Sequence, residues 1–170
     1  VFNDSMIAAR DLQAGGYAER VAIIDCDVHQ GNGTAHIAGN DPSIYTFSIH
    51  GERNFPFRKV NGTLDIGLAD NSGDEEYLDI LAFAVERILY SFHPDVVIYQ
   101  SGADPFVGDK LGKLALTKAG LIARDQLVIA MCRDEGLPVA VSMGGGYAEA
   151  VDDIVDIHLN TIKVAARFAD

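Results

Sequence analysis

The stretch Val21-Ala22-Ile23-Ile24-Asp25-Cys26-Asp27-Val28-His29 is the part of the sequence that decides the fold. Its first four residues are apolar, and acidic and imidazole side chains follow them closely. A short apolar run with polar residues at its end is typical of a strand that is buried on both faces. Similar runs occur at residues 44–47, 96–99 and 139–141. The sequence therefore predicts four buried strands.

Longer segments with helical periodicity separate these apolar runs. Residues 75–92 carry apolar side chains at intervals of three or four positions, namely Leu78, Leu81, Ala82, Val85, Ile88 and Leu89. The segments 4–14, 117–135 and 147–168 are predicted to be helices as well. Strands that alternate with helices along a chain form parallel sheets. We therefore expect one α/β domain over residues 1–170, with three layers in which helices flank a mostly parallel sheet.

The residues at the predicted helix ends suit their positions. Asp74 and Thr117 precede two of the helical segments, and their side-chain oxygens can accept hydrogen bonds from backbone N–H groups as N-caps. Gly15-Gly16 and Gly136 stand where two helices should end, because glycine accepts the left-handed conformation that often terminates a helix.

Residues 50–71 interrupt the alternation of strands and helices, because Gly, Asn and Pro recur there with little periodicity. Long loops inside a compact domain are usually functional or disordered. Phe55 and Phe57 flank Pro56 and favour an ordered loop. Two interpretations of these rings remain open, since they can wall a binding pocket or anchor the loop in the core.

Composition and charge exclude some classes of function. Lys and Arg number 13 against 25 Asp and Glu, and the resulting net charge of −12 opposes binding to nucleic acid phosphates. The sequence has neither an apolar run of about eighteen residues nor a basic-then-apolar leader. We expect a cytoplasmic protein that binds neither nucleic acid directly nor membranes. Cys26 and Cys132 are far apart and predict two buried thiols instead of a disulfide.

Polar motifs follow three of the predicted strands. The first is the acidic and histidine-containing end of the opening stretch, the second is Ser101-Gly102-Ala103-Asp104, and the third is Gly144-Gly145-Gly146-Tyr147. In an open parallel sheet, ligands bind beyond the carboxyl ends of the strands. We therefore expect the three motifs to converge at one edge of the sheet.

The acidic residues and the histidine indicate a metal site. Alternation along a strand would send Asp25, Asp27 and His29 to the same side. Carboxylates and an imidazole in an apolar setting need a compensating charge, which a divalent cation supplies. Asp104 is the natural third ligand beside Asp27 and His29. Oxygen and nitrogen ligands suit zinc, and three protein ligands with one open position are typical of catalytic zinc.

A plainer alternative is that these acids cap helices or pair with Arg53 or Arg58. The grouping of two acids and a histidine with another strand-end Asp and a Gly-rich motif makes this alternative less favoured. The other histidines do not belong to a strand-end motif with acidic residues, so they are predicted to lie on the surface or in loops. They are His36, His50, His93 and His158.

The segments 25–34, 101–109 and 144–147 resemble, in order and spacing, motifs of the zinc-dependent histone deacetylase family, which has the arginase/deacetylase fold. The resemblance extends over nearly all of the chain. Gln30 and the run 108–112 are most similar to class IV members and their bacterial relatives. The resemblance implies hydrolysis of an acyl amide, with an acylated lysine or a small acylated amine as the substrate.

The same resemblance implies roles for individual residues. Asp27, His29 and Asp104 would bind zinc, and Tyr147 would donate its hydroxyl group to the carbonyl oxygen of the substrate as negative charge develops there. The other expected site residues are the pocket residues Phe55, Leu111, Gly145 and Gly146 and the supporting residues Asn32 and Asp109.

Members of the family also hold a structural monovalent cation, usually potassium, beneath the zinc. By resemblance, Asp25 and Ser48 would supply side-chain ligands to this cation. The main-chain carbonyl groups of Asp27, His29 and Ile49 would complete its coordination.

The sequence departs from the family pattern because it contains no His-His pair, which members use as the general base and its partner. Val1-Phe2-Asn3-Asp4 resembles the segment that follows this pair. We therefore expect an N-terminally truncated piece, the C-terminal portion of the fold, in which Asp25 and Asn32 lack the histidines they would orient. A non-catalytic metal-binding or interaction module is the alternative. An exposed sheet edge would also promote a homo-oligomer.

Overall fold

The computed structural model describes residues 2–169. Val1, the first residue of the segment that resembles the one after the His-His pair, therefore lies outside the described residues. One sheet contains the strands β1 (Val21–Asp25), β2 (Ile44–Gly51), β3 (Leu64–Leu68), β4 (Val96–Gly102) and β5 (Val139–Gly144). Their order is β3-β2-β1-β4-β5, and every neighbouring pair is parallel. All four expected strands are present in a parallel sheet.

Helices lie before, between and after these strands. They are α1 (Asp4–Ala14), α2 (Asn32–Ala38), α3 (Asp74–Arg87), α4 (Lys118–Asp134) and α5 (Val151–Arg167). A short π-helical segment, Ile88–Phe92, continues α3 and ends at His93, which has a φ of 51°.

Two buried clusters lie on the two faces of the sheet, because successive strand side chains point in opposite directions. Val21 and Ile23 of β1 pack in one cluster with Met6 and Ala9 of α1. Ile24 belongs to the other cluster, to which α3, α4 and α5 contribute their apolar side chains. Full burial of one such side chain contributes about 1.5–3 kcal/mol. The expected three-layer α/β architecture is confirmed.

The helix ends agree with the sequence in α4 but not in α3. Thr117 is the N-cap of α4, and its Oγ1 accepts a hydrogen bond from Gly120 N at 3.0 Å. Gly136 follows α4 with a φ of 72°. The prediction that Asp74 caps α3 is wrong, because Gly73 is the N-cap there. The Asp74 carboxylate instead accepts hydrogen bonds from the backbone N–H and hydroxyl of Thr117, so it links α3 to α4.

Three segments differ from the sequence-based expectation. The expected loop 50–71 includes the end of β2 and all of β3. Asp65 and Gly67 interrupt the apolar pattern of β3, so the sequence did not indicate a strand there. Helix α2 has only 7 residues, too few for a clear periodicity. Helix α5 begins at Val151 instead of residue 147, because the preceding residues form a glycine turn and an isolated β-bridge.

Strand β5 forms one edge of the sheet and is only partly covered. Ala140 is exposed, and the side chain of Met143 is 55% exposed. Within residues 2–169, no helix combines the length and the apolar character that crossing a lipid bilayer requires.

Candidate metal centre

Asp27, His29 and Asp104 lie together at the carboxyl end of the sheet. One potential ligand atom from each lies within 4.8 Å of the other two. His29 Nδ1 is 3.0 Å from Asp27 Oδ1 and 3.2 Å from Asp104 Oδ2. The Asp104 side chain is 1% exposed, whereas those of Asp27 and His29 are 17% and 26% exposed. Asp104 therefore lies at the buried bottom of the group, and the group is open to solvent on the side of Asp27 and His29.

The turn after β1 positions the first two members of this group. Asp25 Oδ1 accepts a hydrogen bond from Asp27 N at 3.0 Å, and Asp27 Oδ1 accepts one from His29 N at 2.8 Å. These bonds from backbone N–H groups to side chains bend the chain after Asp25, where β1 ends. The expected strand alternation from Asp25 to His29 is therefore wrong beyond Asp25. The turn brings Asp27 and His29 together.

The neighbouring strand, β4, brings Asp104 to the same place. Asp104 Oδ1 accepts a hydrogen bond from Val28 N at 2.8 Å, which ties the turn after β1 to the segment after β4. Gly102 permits this close approach, since a Cβ atom there would lie 2.7 Å from the Cα atom of Asp27. The expected convergence of the strand-end motifs thus depends on a glycine at this position.

The charges of the group favour a bound cation. Hydrogen bonds to Asp104 and then to Asp27 raise the pKa of His29 to about 10. Burial raises the pKa of Asp104 to about 6, although the hydrogen bond from His29 acts in the opposite direction. Burial and then repulsion by Asp27 raise the pKa of Asp25 well above its usual range. Carboxylates this poorly compensated, together with an imidazole, fit the oxygen and nitrogen ligands of a divalent metal such as zinc.

The alternative partners of the acids lie elsewhere. Arg53 forms an ion pair with Asp70 at 3.7 Å, and Arg58 is exposed. Within residues 2–169, the ion pairs of Asp27 and Asp104 are formed with His29. The acids therefore form a cluster instead of surface salt bridges.

A glycine turn after β5 lies against Asp104 of this cluster. Gly145 and Gly146 have φ angles of 65° and 116°, which L-residues with side chains rarely adopt. A Cβ atom on Gly145 would overlap the carboxylate of Asp104. The turn leads directly to Tyr147, whose side chain is 59% exposed. The structure therefore brings the Gly-rich motif to the same edge as the acids.

Asp109 holds the backbone of Tyr147 and an adjacent loop at the same time. Its Oδ2 accepts a hydrogen bond from Tyr147 N. Its Oδ1 accepts hydrogen bonds from Leu111 N and Gly112 N, each at 2.8 Å. Lys110 N also donates to Tyr147 O at 3.2 Å. Asp109 thus joins the loop 109–112 to the residue that carries the phenol.

Asn54 anchors the opposite end of this loop, a role that the sequence analysis missed. Its side chain is 3% exposed, its Nδ2 donates to Leu111 O at 2.7 Å, and its Oδ1 accepts from Lys113 N at 3.1 Å. The only available signal was a polar residue directly before the aromatic pair. Phe55 and Phe57 are 64% and 85% exposed, so the interpretation of these rings as core anchors is wrong.

Asp25 and Ser48 lie side by side on β1 and β2. They are partners in the parallel register of β1 and β2, and both line a small cavity beside Gly31. Ser48 Oγ is 3.1 Å from His50 Nδ1 and accepts a hydrogen bond from Gly31 N at 3.3 Å. The two expected side-chain ligands of a second cation are thus adjacent.

His50 differs from its expected surface or loop position, because it lies in β2 and is 2% exposed. Burial lowers its pKa, so it is a neutral core histidine. His36 and His93 are exposed, and His158 is partly buried in α5. Asn32 is the first residue of α2 and is partly buried.

Both thiols lie where the sequence predicts them, as free cysteines in the core. Burial raises the pKa values of Cys26 and Cys132 to about 12. Neither thiol is therefore ionised at neutral pH.

Known proteins share this fold. The chain superposes on an acetylpolyamine aminohydrolase from Burkholderia pseudomallei with a TM-score of 0.83 and 23% identity, over 96% of this chain and 49% of that one. It superposes on the HDA15 HD domain with a TM-score of 0.78 and 30% identity, over 96% of this chain and 50% of that one. These likenesses confirm the expected arginase/deacetylase fold.

Sequence relatives agree with the structural ones. An uncharacterized protein of Picosynechococcus sp. is 48% identical over 98% of this chain and 55% of its own length. Histone deacetylase 2 of Arabidopsis thaliana is 34% identical over 77% of this chain and 35% of its own length. The chain thus spans about half, or less, of these relatives. The histone deacetylase domain matches residues 1–162, and the chain belongs to the histone deacetylase family.

Proposed function

We propose that the protein is a zinc-dependent amidohydrolase that removes an acyl group from an acylated lysine or a small acylated amine. The proposal rests on the cluster of Asp27, His29 and Asp104, whose donor atoms lie within 4.8 Å of one another at the open end of a parallel sheet. A zinc ion held there would polarise the amide carbonyl and lower the pKa of a water molecule. Family membership supports deacetylase-type hydrolysis in general.

Tyr147 is proposed to bind the carbonyl oxygen of the substrate. Tyr147 is 59% exposed, and the turn that carries it lies against Asp104. A preorganised hydroxyl group that donates to the carbonyl oxygen stabilises the negative charge that develops during the attack of water. Asp109 would hold this residue by accepting the hydrogen bond from Tyr147 N.

The general base is proposed to come from outside these 170 residues. The histidines in the sequence include no adjacent pair, and His29 is assigned to the metal. The two histidines of such a pair would be oriented through hydrogen bonds to Asp25 and to Asn32, the first residue of α2.

The substrate is proposed to carry an amine that becomes cationic after deacylation. The net charge of −12 suits a cationic amine, and one structural relative is named an acetylpolyamine aminohydrolase. Phe55 and Leu111 are 64% and 53% exposed, and they would wall the entrance with their apolar surfaces. Class IV-like specificity, which includes longer acyl groups, is part of the same proposal.

We also propose a potassium ion beneath the zinc. Asp25 and Ser48, adjacent in the β1–β2 register, would bind it together with carbonyl groups of Asp27, His29 and Ile49. A monovalent cation there would compensate the charge of the poorly solvated Asp25 carboxylate.

A second candidate function is a metal-binding or interaction module without catalysis, which the absence of a His-His pair in the sequence favours. Zinc analysis combined with an acetate-release assay on an acetyl-lysine peptide separates the two candidates. Amidohydrolase function predicts bound zinc and turnover by the intact protein, and Asp27→Ala or Asp104→Ala should abolish both. Asp156→Ala, at an exposed carboxylate paired with Lys118, is the matched control and should remain active. Bound zinc without turnover would support the module instead.

A further inference from the structure

Arg124 of α4 is a charged residue in the centre of the core. It is fully buried, and its neighbour Asp125 is 1% exposed. In the sequence, the pair occupies the buried face of α4, between Leu121 and Val128, at the spacing of core residues. A charge in such a position costs several kcal/mol unless it is paired and hydrogen-bonded. The partners of the guanidinium group therefore indicate what Arg124 does.

The guanidinium group contacts the two segments that carry the metal-ligand residues. Arg124 Nη1 donates to Gly102 O at 2.6 Å and to Cys26 O at 3.4 Å. Its Nη2 donates to Ser101 Oγ at 3.2 Å. Cys26 directly precedes Asp27, and Gly102 lies two positions before Asp104. One side chain thus binds both chain segments just before their ligands.

These contacts begin where the sheet no longer joins the two segments. The register between β1 and β4 ends at Asp25 and Gln100, and Cys26 N donates to Gln100 O at 3.0 Å. Beyond this point, Arg124 donates to the carbonyl groups of both Cys26 and Gly102, and Gly102 also remains in register with Gly144 of β5. A planar guanidinium group with several donors in a fixed geometry is suited to hold two carbonyl groups at a set separation.

Asp125 fixes the guanidinium group from the other side. Its Oδ1 accepts from Arg124 Nε at 2.9 Å and lies 2.8 Å from Nη2. Tyr99 OH donates to Asp125 Oδ1 and Thr161 Oγ1 donates to Asp125 Oδ2, each at 2.6 Å. Strand β4 and helix α5 therefore orient the ion pair, and the ion pair faces the ligand-bearing segments.

We infer that Arg124 is a positioning residue that sets the separation of Asp27 and Asp104 by holding the carbonyl groups of Cys26 and Gly102. This inference rests on the proposed function, because it assumes that the two carboxylates bind a metal. It predicts that a substitution of Arg124 changes the geometry of the metal site by more than the accompanying loss of fold stability explains. Loss of a residue that supports metal ligands typically weakens metal binding roughly 10- to 100-fold.

The test is a Co²⁺ titration of the intact protein, followed by visible absorption, for the wild type, Arg124→Lys and Thr117→Ala. Lysine keeps the charge but cannot hold both carbonyl groups and Asp125 in one plane. We expect Arg124→Lys to bind Co²⁺ roughly 10- to 100-fold more weakly and with a shifted absorption band. Thr117→Ala removes the N-cap of α4, the helix that carries Arg124, and should lower the unfolding midpoint without changing Co²⁺ affinity or the band.

Two results would overturn the inference, and they are distinguishable. If Arg124→Lys folds and binds Co²⁺ with the affinity and spectrum of the wild type, the positioning role is wrong while the metal site stands. If the wild type itself binds no Co²⁺ or Zn²⁺, the proposed function fails and the inference fails with it. Ser101→Ala, which removes one acceptor of the guanidinium group but leaves the ion pair, decides the question if Arg124→Lys does not fold. It should weaken Co²⁺ binding, and unchanged binding would contradict the inference.

Discussion

Gly145 lies against Asp104 so closely that a methyl group on its Cα atom would overlap the carboxylate oxygens. Asp104 is the most buried member of the candidate metal centre, and Gly145 belongs to the turn that delivers Tyr147. The contact therefore connects the residue proposed to bind the metal with the turn proposed to carry the oxyanion donor.

Gly145→Ala should disrupt the metal centre. The added methyl group must displace Asp104, and a φ of 65° is itself unfavourable for alanine. We expect loss of zinc binding in addition to a destabilisation of about 1–2 kcal/mol from the left-handed backbone. Gly136→Ala is the matched control, because Gly136 has a φ of 72° but no atom within 4 Å of the added Cβ. It should be destabilised similarly and retain zinc, and equal zinc affinity in the two variants would contradict the account.

Asp109→Asn should lower kcat without releasing zinc. The asparagine cannot accept at both former carboxylate oxygens, so the hydrogen bonds from Tyr147 N and from the loop at Leu111 and Gly112 cannot all persist. Misplacement of a reacting group by about 1 Å can cost on the order of 100-fold in rate. Steady-state kinetics and zinc content of the intact protein measure the effect, with Tyr147→Phe as the reference. Zinc loss in Asp109→Asn would show that Asp109 acts on the metal centre instead.

Thr117→Ala should destabilise the fold by about 1 kcal/mol or somewhat more, as the loss of an N-cap usually does. The Thr117 hydroxyl accepts from Gly120 N and donates to Asp74 Oδ2 at 2.6 Å, so one substitution removes the cap of α4 and its link to α3. Thr117→Ser retains both hydrogen bonds and is the control. Urea unfolding measures both variants, and a serine variant as unstable as the alanine variant would exclude the capping explanation.

The free energy of unfolding should fall as the pH rises above about 9. Burial raises the pKa of Cys132 from 9.0 to about 12, so the native state favours the neutral thiol. The stability that this group contributes is complete below pH 9.0 and is lost as the pH rises towards about 12, because the thiol ionises first in the unfolded chain. Cys132→Ala should show a shallower decline than the wild type in unfolding experiments at increasing pH. Parallel declines would contradict the assignment, since the substitution removes only the Cys132 thiol.

The sheet and the proximity of Asp27, His29 and Asp104 were predictable because their signals are local. Four apolar runs mark buried strands, and the acids and the histidine that follow two of these runs lie close together. Strand β3 was not predictable, because Asp65 and Gly67 interrupt its apolar pattern and its position depends on pairing with β2. The cap of α3 was wrong for a similar reason, since the Asp74 carboxylate forms a tertiary contact with Thr117.

Within the site, the residues that orient others were the least predictable. Asn54 acts through hydrogen bonds to backbone groups, and Arg124 holds carbonyl groups far away in the sequence. Asp109 was expected as a supporting residue from the family resemblance, but its hydrogen-bond partners were not. Such partners depend on the final path of the chain, so no residue pattern reveals them. The buried position of His50 was missed because its strand continues further than its apolar run.

The central claim is that one zinc ion binds between Asp27, His29 and Asp104. Crystals of the intact protein grown with zinc, measured at the zinc absorption edge, test this claim most directly through an anomalous difference map. The account predicts one strong peak within about 2.0–2.2 Å of an oxygen atom of each aspartate and a nitrogen atom of His29. A map without a peak at this position, or with its zinc bound only elsewhere, would contradict it.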